Sequence, residues 1–150
     1  MACRSESDLS TPHQAYSQNE QSYLEHKVLS ASPLELVCLL YEGGIEALQD
    51  AKRHLASGDV LARGRSIARV QAIVVELLSS LNAQVDQDLA RRLTLLYDYI
   101  LRKLEEGHRE QAASPLDEAE QLLRNLYEGW RQLSSQMAPV VVGTAPERFA

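Results

Sequence analysis

Glu105-x-x-His108 is the spacing with the clearest potential for chemistry, because it places a carboxylate and an imidazole on one face of a helix. Di-metal centres in helical bundles combine two such pairs with two further inward glutamates. This chain holds one pair, and it straddles Gly107 near the predicted end of a helix. We therefore interpret the pair as an exposed, fraying helix terminus, and we predict no metal site.

One cysteine and three histidines are the other candidates for chemistry. Cys38 has no His, Lys or Arg at helical spacing to activate its thiol, so we interpret it as a small core residue. His13, His26 and His54 lie apart from one another in polar surroundings. No glycine-rich phosphate loop follows a strand, since no strand is predicted. We predict no catalytic residue, no cofactor and no enzymatic activity.

Charge and composition narrow the class of protein. The chain has 150 residues and a net charge of −6, and 45% of its residues are apolar but only 5% aromatic. Acidic proteins without a clustered basic surface are poor ligands for nucleic acid. The densest basic cluster is Arg63, Arg65 and Arg69, which we interpret as a solvent-exposed helix face. Leu, Ala, Glu, Gln and Arg dominate, and these helix formers predict an all-α fold.

The sequence favours a cytoplasmic location. The first residues lack the apolar stretch of a signal peptide, and no run reaches the roughly 18 apolar residues of a membrane span. Cys3 and Cys38 are too few and too isolated to form a disulfide framework, which fits a reducing compartment.

Four helix patterns follow a polar N-terminal segment. The first is the best marked, because Ser32 suits an N-cap, Pro33 the first helical position and Glu35 a capping box. The predicted helices run from Pro33 to about Ser57, from Asp59 to about Asn82, from Asp86 to about Gly107, and from Ser114 to about Met137. Short connections between them predict an antiparallel four-helix bundle over residues 15–136. A strap or short helix occupies about residues 15–29, and we expect residues 1–14 and 137–150 to be disordered tails.

Three of these helices carry a second apolar patch beyond the face that one core needs. The patches are Leu36, Leu39 and Gly43; Leu61, Ala68, Ala72 and Val75; and Leu95 with Tyr99. Either a central helix buries two faces, or the patches form grooves for an amphipathic partner chain. Gly43 and Gly44 weaken the middle of a helix, which suggests close approach of another helix or chain.

Ordered motifs across about residues 16–135 carry a family resemblance. They are Tyr23-x4-Val28-x-Ser30-Ala31-Ser32-Pro33-x2-Leu36; Leu40-Tyr41-Glu42-Gly43-Gly44; Gly58-Asp59; Leu95-Leu96-Tyr97-Asp98-Tyr99-Ile100 with Arg102 and Leu104; and Glu118-Ala119-Glu120-x-Leu122-Leu123 before Trp130. Each motif alone is weak, but the set in this order is similar to the FliS-type flagellin export chaperones. The third loop and the residues before the third helix, Val85-Asp86-Gln87-Asp88, depart from the pattern of many members.

The resemblance implies a cytoplasmic chaperone of flagellar type III export. Such proteins bind the disordered C-terminal segment of flagellin, prevent its premature polymerisation and assist its delivery to a membrane export gate. The family's N-terminal tyrosine corresponds to Tyr23, and the segment from Tyr23 to Val28 would dock at the gate and cover part of the partner site. The three apolar patches would bind flagellin. A small-molecule substrate is not implied.

Two other classes of protein stay open at this point. The apolar patches would also suit a structural homodimer, in which they pair with each other, and the chaperone itself would be able to dimerise when free. A metal-binding, ferritin-like bundle is the other class, although the chain supplies one of the two Glu-x-x-His pairs that it needs.

Overall fold

The computed structural model describes residues 12–81 and 85–149, with side chains described for residues 20–81 and 85–136. In this part of the chain the structure is helical and contains no strand, so the all-α prediction is confirmed. The helices are α1 (Pro12–Ser30), α2 (Pro33–Ser57), α3 (Val60–Ser79), α4 (Gln87–Glu110) and α5 (Ala113–Phe149).

The starts of α3 and α4 follow from two aspartates. Asp59 accepts a hydrogen bond from the Ala62 amide at 3.1 Å, and Asp86 accepts one from the Leu89 amide at 2.9 Å. Each carboxylate satisfies an amide of the first turn that has no partner within the helix. Gly58, with φ +77°, lets the chain turn between α2 and α3. The predicted junctions at residues 58–59 and 86 are therefore confirmed.

The bounds of the last two helices differ from the prediction. Gly107 does not end α4, which continues to Glu110 and stops where Gln111 takes a left-handed conformation and its amide bonds the Gly107 carbonyl. The next helix begins at Ala113, so Ser114 lies inside it rather than at its cap. The backbone of α5 stays helical to Phe149, past Met137, where we predicted its end. The division of the chain into a domain and two tails stays a prediction.

The chain divides between Ser32 and Pro33 into two compact units, and the second unit contains α2 to α5. In this unit α2 packs against α3 and α5, and α4 packs against the same two helices. With the short connections, this pattern gives the predicted antiparallel bundle. The core lies between the four helices. Its largest fully buried side chains are Tyr41, Tyr97, Leu48, Leu77, Ile100, Leu104, Leu116, Leu123, Val70 and Val74.

The first unit contains α1, a helix of 19 residues. The sequence predicted either a strap or a short helix for this segment, and the helix is confirmed. Its apolar side chains do not gather on one face, and Tyr23, Leu24, Val28 and Leu29 are all exposed. The Ser30 hydroxyl donates to the His26 carbonyl in the last turn at 3.0 Å.

Arg63 is buried, with 2% of its surface exposed, which corrects the prediction of a solvent-exposed arginine cluster. Its guanidinium donates to the His108 imidazole Nδ1 at 3.1 Å and to the His108 carbonyl at 3.4 Å. The positive charge thereby lies at the carboxyl end of α4, where the helix dipole favours it. The same contacts hold the end of α4 at His108 in place, which corrects the prediction of a fraying helix terminus there. Arg65 and Arg69 are exposed, as predicted.

Candidate partner-binding surfaces

The α3 face, formed by Leu61, Ala68, Ala72 and Val75, points away from the bundle core. Leu61 is 68% exposed and Val75 51%, and both alanines are exposed as well. The buried residues of α3 lie on its other side, among them Ile67, Val70 and Val74. For this helix the alternative of a second core face is therefore wrong. The structure leaves an apolar strip along about four turns of helix uncovered.

Spacing suits the α3 face to another helix. Positions along this face follow one another at alternating intervals of four and three residues, the repeat of helices that pack lengthwise. They are Leu61, Arg65, Ala68, Ala72, Val75 and Ser79. The two alanines at its centre allow close approach. Arg65 lies within this repeat and Arg69 beside it; both are exposed and make no ion pair with any described residue.

A groove between α4 and α5 contains the patch formed by Leu95, which is exposed, and Tyr99, which is half-buried. This α4–α5 groove has a volume of about 500 Å³ and is lined by Leu95, Leu96, Tyr99, Arg102, Glu118, Gln121 and Leu122. Leu95 is 66% exposed. The structure thus brings the predicted pair Leu95 and Tyr99 together with Leu96 and Leu122, which form the remaining apolar walls.

Hydrogen bonds fix the polar side of the α4–α5 groove. The Tyr99 hydroxyl donates to a Glu118 carboxylate oxygen, and the Lys103 ammonium lies 3.5 Å from the other oxygen. The Tyr99 hydrogen bond lowers the pKa of Glu118 and raises that of Tyr99, because it stabilises the pair as carboxylate and neutral phenol. Tyr99 is therefore held across the groove by a partner on the neighbouring helix.

The α2 patch is partly covered within the bundle. Leu36, Leu39 and Gly43 are half-buried. A Cβ atom placed on Gly43 would meet the Ile73 side chain of α3 at 3.5 Å, and one on Gly44 would meet it at 3.3 Å. Close approach of α3 therefore explains Gly44, which is buried. A role of Leu36, Leu39 and Gly43 in partner binding stays a prediction, as does that of Tyr23 and Val28 on α1.

Two side-chain networks hold the helices that carry these surfaces. In the core, the Trp130 indole donates to the Tyr41 hydroxyl at 3.2 Å, and the Tyr41 and Tyr97 hydroxyls hydrogen-bond each other. These contacts join α5, α2 and α4. Burial raises the pKa of both phenols, so they stay neutral. Spacing within a single helix did not predict this contact, since the three residues lie on three different helices.

The second network surrounds Glu120, which is only 8% exposed. Lys52 lies 2.9 Å from one carboxylate oxygen and Arg124 lies 2.6 Å from the other. Lys52 also contacts Asp117 at 2.7 Å, so the network joins α2 to α5. Burial alone would raise the pKa of Glu120, but the hydrogen bonds from the two cations together lower it.

Within the described residues, no cluster of three or more His, Cys, Asp or Glu side chains is placed to hold a metal ion. Cys38 is buried, as predicted, and burial raises the pKa of its thiol. None of the described helices combines the length and the apolar character that crossing a membrane requires.

Comparison with known proteins places the chain in a family. The family described as flagellar protein FliS matches residues 15–137. The flagellar secretion chaperone FliS of Salmonella typhimurium is 35% identical over 115 residues, which cover 76% of this chain and 85% of that protein. FliSB of Pseudomonas aeruginosa is 31% identical over a match that covers 80% of this chain and 95% of that protein. FliS of Escherichia coli is 29% identical over a match that covers 86% of this chain and 92% of that protein. The motif resemblance is thus confirmed, and this chain belongs to the FliS family of flagellar secretion chaperones.

Proposed function

We propose that this protein is a cytoplasmic chaperone that binds the C-terminal segment of flagellin, keeps it from polymerising prematurely and assists its delivery to the flagellar export gate. The observation that carries the proposal is the uncovered α3 face, because an apolar strip opposite the core has no function within the bundle. Membership of the FliS family supplies the flagellar context.

An amphipathic, initially disordered segment is the partner that these surfaces suit. The α3 face is long and narrow, and the α4–α5 groove lies on other helices, so one compact partner would reach both with difficulty. A flexible chain wraps such separated surfaces, although it loses conformational entropy on binding. Each leucine or valine side chain that becomes fully buried contributes about 1.5–3 kcal/mol. Several such contacts are needed to offset the conformational entropy that the segment loses when it becomes ordered.

Binding at these surfaces would also explain protection against polymerisation. Apolar faces that pair between subunits in a filament are the same faces that a chaperone has to cover in the free chain. In this proposal the chaperone acts by binding alone, in keeping with the naming of its relatives as chaperones.

For α1 we propose a second contact, with a component of the export gate. Tyr23 and Val28 are exposed on a helix that forms a compact unit by itself. Hydrogen exchange of residues 20–30, measured with and without the flagellin segment, tests whether α1 also covers part of the flagellin site. Faster exchange in the complex indicates displacement of α1 by flagellin, whereas unchanged exchange contradicts that role.

Titration calorimetry of the full chain with the C-terminal segment of flagellin from its own organism tests the main proposal. We expect a one-to-one complex and a strongly negative heat-capacity change, because apolar surface is buried. No binding at micromolar concentrations contradicts it.

Light scattering separates the chaperone from a structural homodimer. A dimer held by the α3 faces is expected to dissociate when the flagellin segment occupies them. A dimer that persists unchanged with the segment bound would show that the apolar faces serve self-association.

A further inference from the structure

Arg102 lines the α4–α5 groove and has no carboxylate partner among the described side chains. Its guanidinium carbon lies 5.8 Å from the centre of the Tyr99 ring. No ion pair joins Arg102 to a carboxylate within residues 20–81 and 85–136. Arg102 is thus part of the lining of an apolar groove and lies within cation–π distance of the Tyr99 ring.

The other charges of the groove already have partners. Glu118 accepts the Tyr99 hydroxyl and lies beside Lys103, and Lys103 also pairs with Glu106 at 3.1 Å. Gln121 donates to the Asn125 side chain at 3.1 Å. The groove therefore presents apolar walls and one unpaired positive charge.

We propose that the α4–α5 groove recognises a part of the partner segment in which an acidic side chain stands next to an apolar one. The apolar side chain enters between Leu95, Leu96 and Leu122, and the carboxylate pairs with Arg102. This inference rests on the proposed function, since it takes the partner to be the C-terminal segment of flagellin. It makes Arg102 a determinant of which part of that segment enters the groove.

Complementary charge and shape support this assignment. A guanidinium donates two parallel hydrogen bonds to a carboxylate, a geometry that an ammonium group does not provide. A charge beside an apolar site steers association and selects the partner, and reversing its sign places like charges together, which weakens binding. Glu118 adds to the selection, because its negative charge disfavours a second carboxylate beside it.

Charge reversal at Arg102 tests the inference. The variant Arg102→Glu and the matched control Arg109→Glu are titrated with the flagellin C-terminal segment at two salt concentrations. Arg109 is on the same helix, is exposed and lies outside the groove. We expect about tenfold weaker binding and a smaller salt dependence for Arg102→Glu, and about the wild-type values for the control.

A charge swap then identifies the acidic residue of the partner. Each Asp and Glu of the flagellin segment is replaced singly by Lys, and each peptide is titrated against Arg102→Glu. We expect one of these peptides to recover most of the lost affinity, as direct pairs do in double-mutant cycles.

The outcomes separate this inference from the proposed function. If the wild type binds the segment and Arg102→Glu binds it with the same affinity, the inference alone is contradicted. The same holds if no charge-swapped peptide recovers the affinity that Arg102→Glu loses. No binding by the wild type contradicts both. A change in self-association of Arg102→Glu, measured by light scattering with peptide binding unaltered, shows that a second copy of the chain occupies the groove and also overturns the inference.

Discussion

The hydroxyl of Tyr41 on α2 hydrogen-bonds the hydroxyl of Tyr97 on α4 inside the bundle core. Tyr41 also accepts the Trp130 indole N–H at 3.2 Å, so one phenol oxygen connects three helices. No described buried side-chain polar atom lacks a hydrogen-bond partner. Removal of one member of this network leaves another polar group buried without its partner.

Replacement of the two tyrosines by phenylalanine is expected to destabilise the fold unequally. Tyr41→Phe removes both hydrogen bonds and is expected to cost about 3 kcal/mol, while Tyr97→Phe removes one and costs about 1–2 kcal/mol. Tyr127→Phe is the control, since its hydroxyl bonds Glu42 at an exposed site. Urea unfolding, monitored by circular dichroism, measures the free energy of unfolding of all three variants. Equal losses for Tyr41→Phe and Tyr127→Phe would show that the core network does not stabilise the bundle.

The Glu120 network predicts a specific loss of stability in acid. The pKa of Glu120 is lower in the folded chain than in the unfolded chain, so its contribution is present at neutral pH and disappears as pH falls through the folded value. Glu120→Gln is expected to cost about 2 kcal/mol at pH 7. The cost becomes progressively smaller below about pH 4, the ordinary range of a glutamate, because the unfolded wild type takes up a proton there and the folded wild type follows at lower pH.

Unfolding in urea across a pH series measures this difference. Glu128→Gln, on the same helix, is the control, because Glu128 and its partner Arg131 are both exposed. We expect almost no effect of this change at any pH. A Glu120→Gln difference that stays constant from pH 7 to pH 3 would rule out the ion network as its source.

Gly107 and Gly129 are expected to respond to alanine in opposite directions. A Cβ atom on Gly107 would lie 2.6 Å from the Leu116 side chain, whereas one on Gly129 would have no neighbour within 4 Å. Gly107→Ala is therefore expected to destabilise the bundle by about 1–3 kcal/mol through overpacking. Gly129→Ala should stabilise it by up to about 1 kcal/mol, through better helix propensity. Thermal unfolding decides: stabilisation by both variants would mean that the contact of α4 with α5 relaxes without cost.

Arg63 is expected to be far more sensitive to substitution than Arg65, although both are on α3. Arg63→Met keeps the apolar stem but leaves Nδ1 and the carbonyl of His108 without their donor, at a cost of about 1–3 kcal/mol. Arg65→Met alters an exposed side chain and is expected to change stability by less than about 0.5 kcal/mol. Both free energies of unfolding come from chemical denaturation. Similar values for the two variants would contradict a structural role of the Arg63 contact with His108.

Local signals in the sequence were enough to predict most of the fold. Asp59 and Asp86 mark helix starts by residue type alone, because an N-cap satisfies amides within the same turn. The burial of Val37, Tyr41 and Leu48 follows from helical periodicity. The same periodicity found the α3 face and the pair Leu95 and Tyr99.

Contacts between helices were not predictable in the same way. Arg63 lies among other arginines in the sequence, and its burial depends on His108, 45 residues away on another helix. Lys52 and Glu120 are 68 residues apart. The close approach of Gly107 to Leu116 likewise requires the angle between α4 and α5. Such contacts depend on which helix faces meet, and the local spacing of residue types along the sequence does not reveal that.

The most direct test of the central claim is the affinity of the variant Leu61→Ser/Val75→Ser for the flagellin C-terminal segment, measured by calorimetry beside Leu89→Ser/Leu133→Ser. All four leucine and valine side chains are exposed, but only the first pair belongs to the α3 face. If the face opposite the core binds flagellin, the first variant loses at least about tenfold in affinity while its free energy of unfolding stays near the wild-type value, and the second binds normally. Equal affinity of both variants and the wild type would contradict the assignment of this face to flagellin.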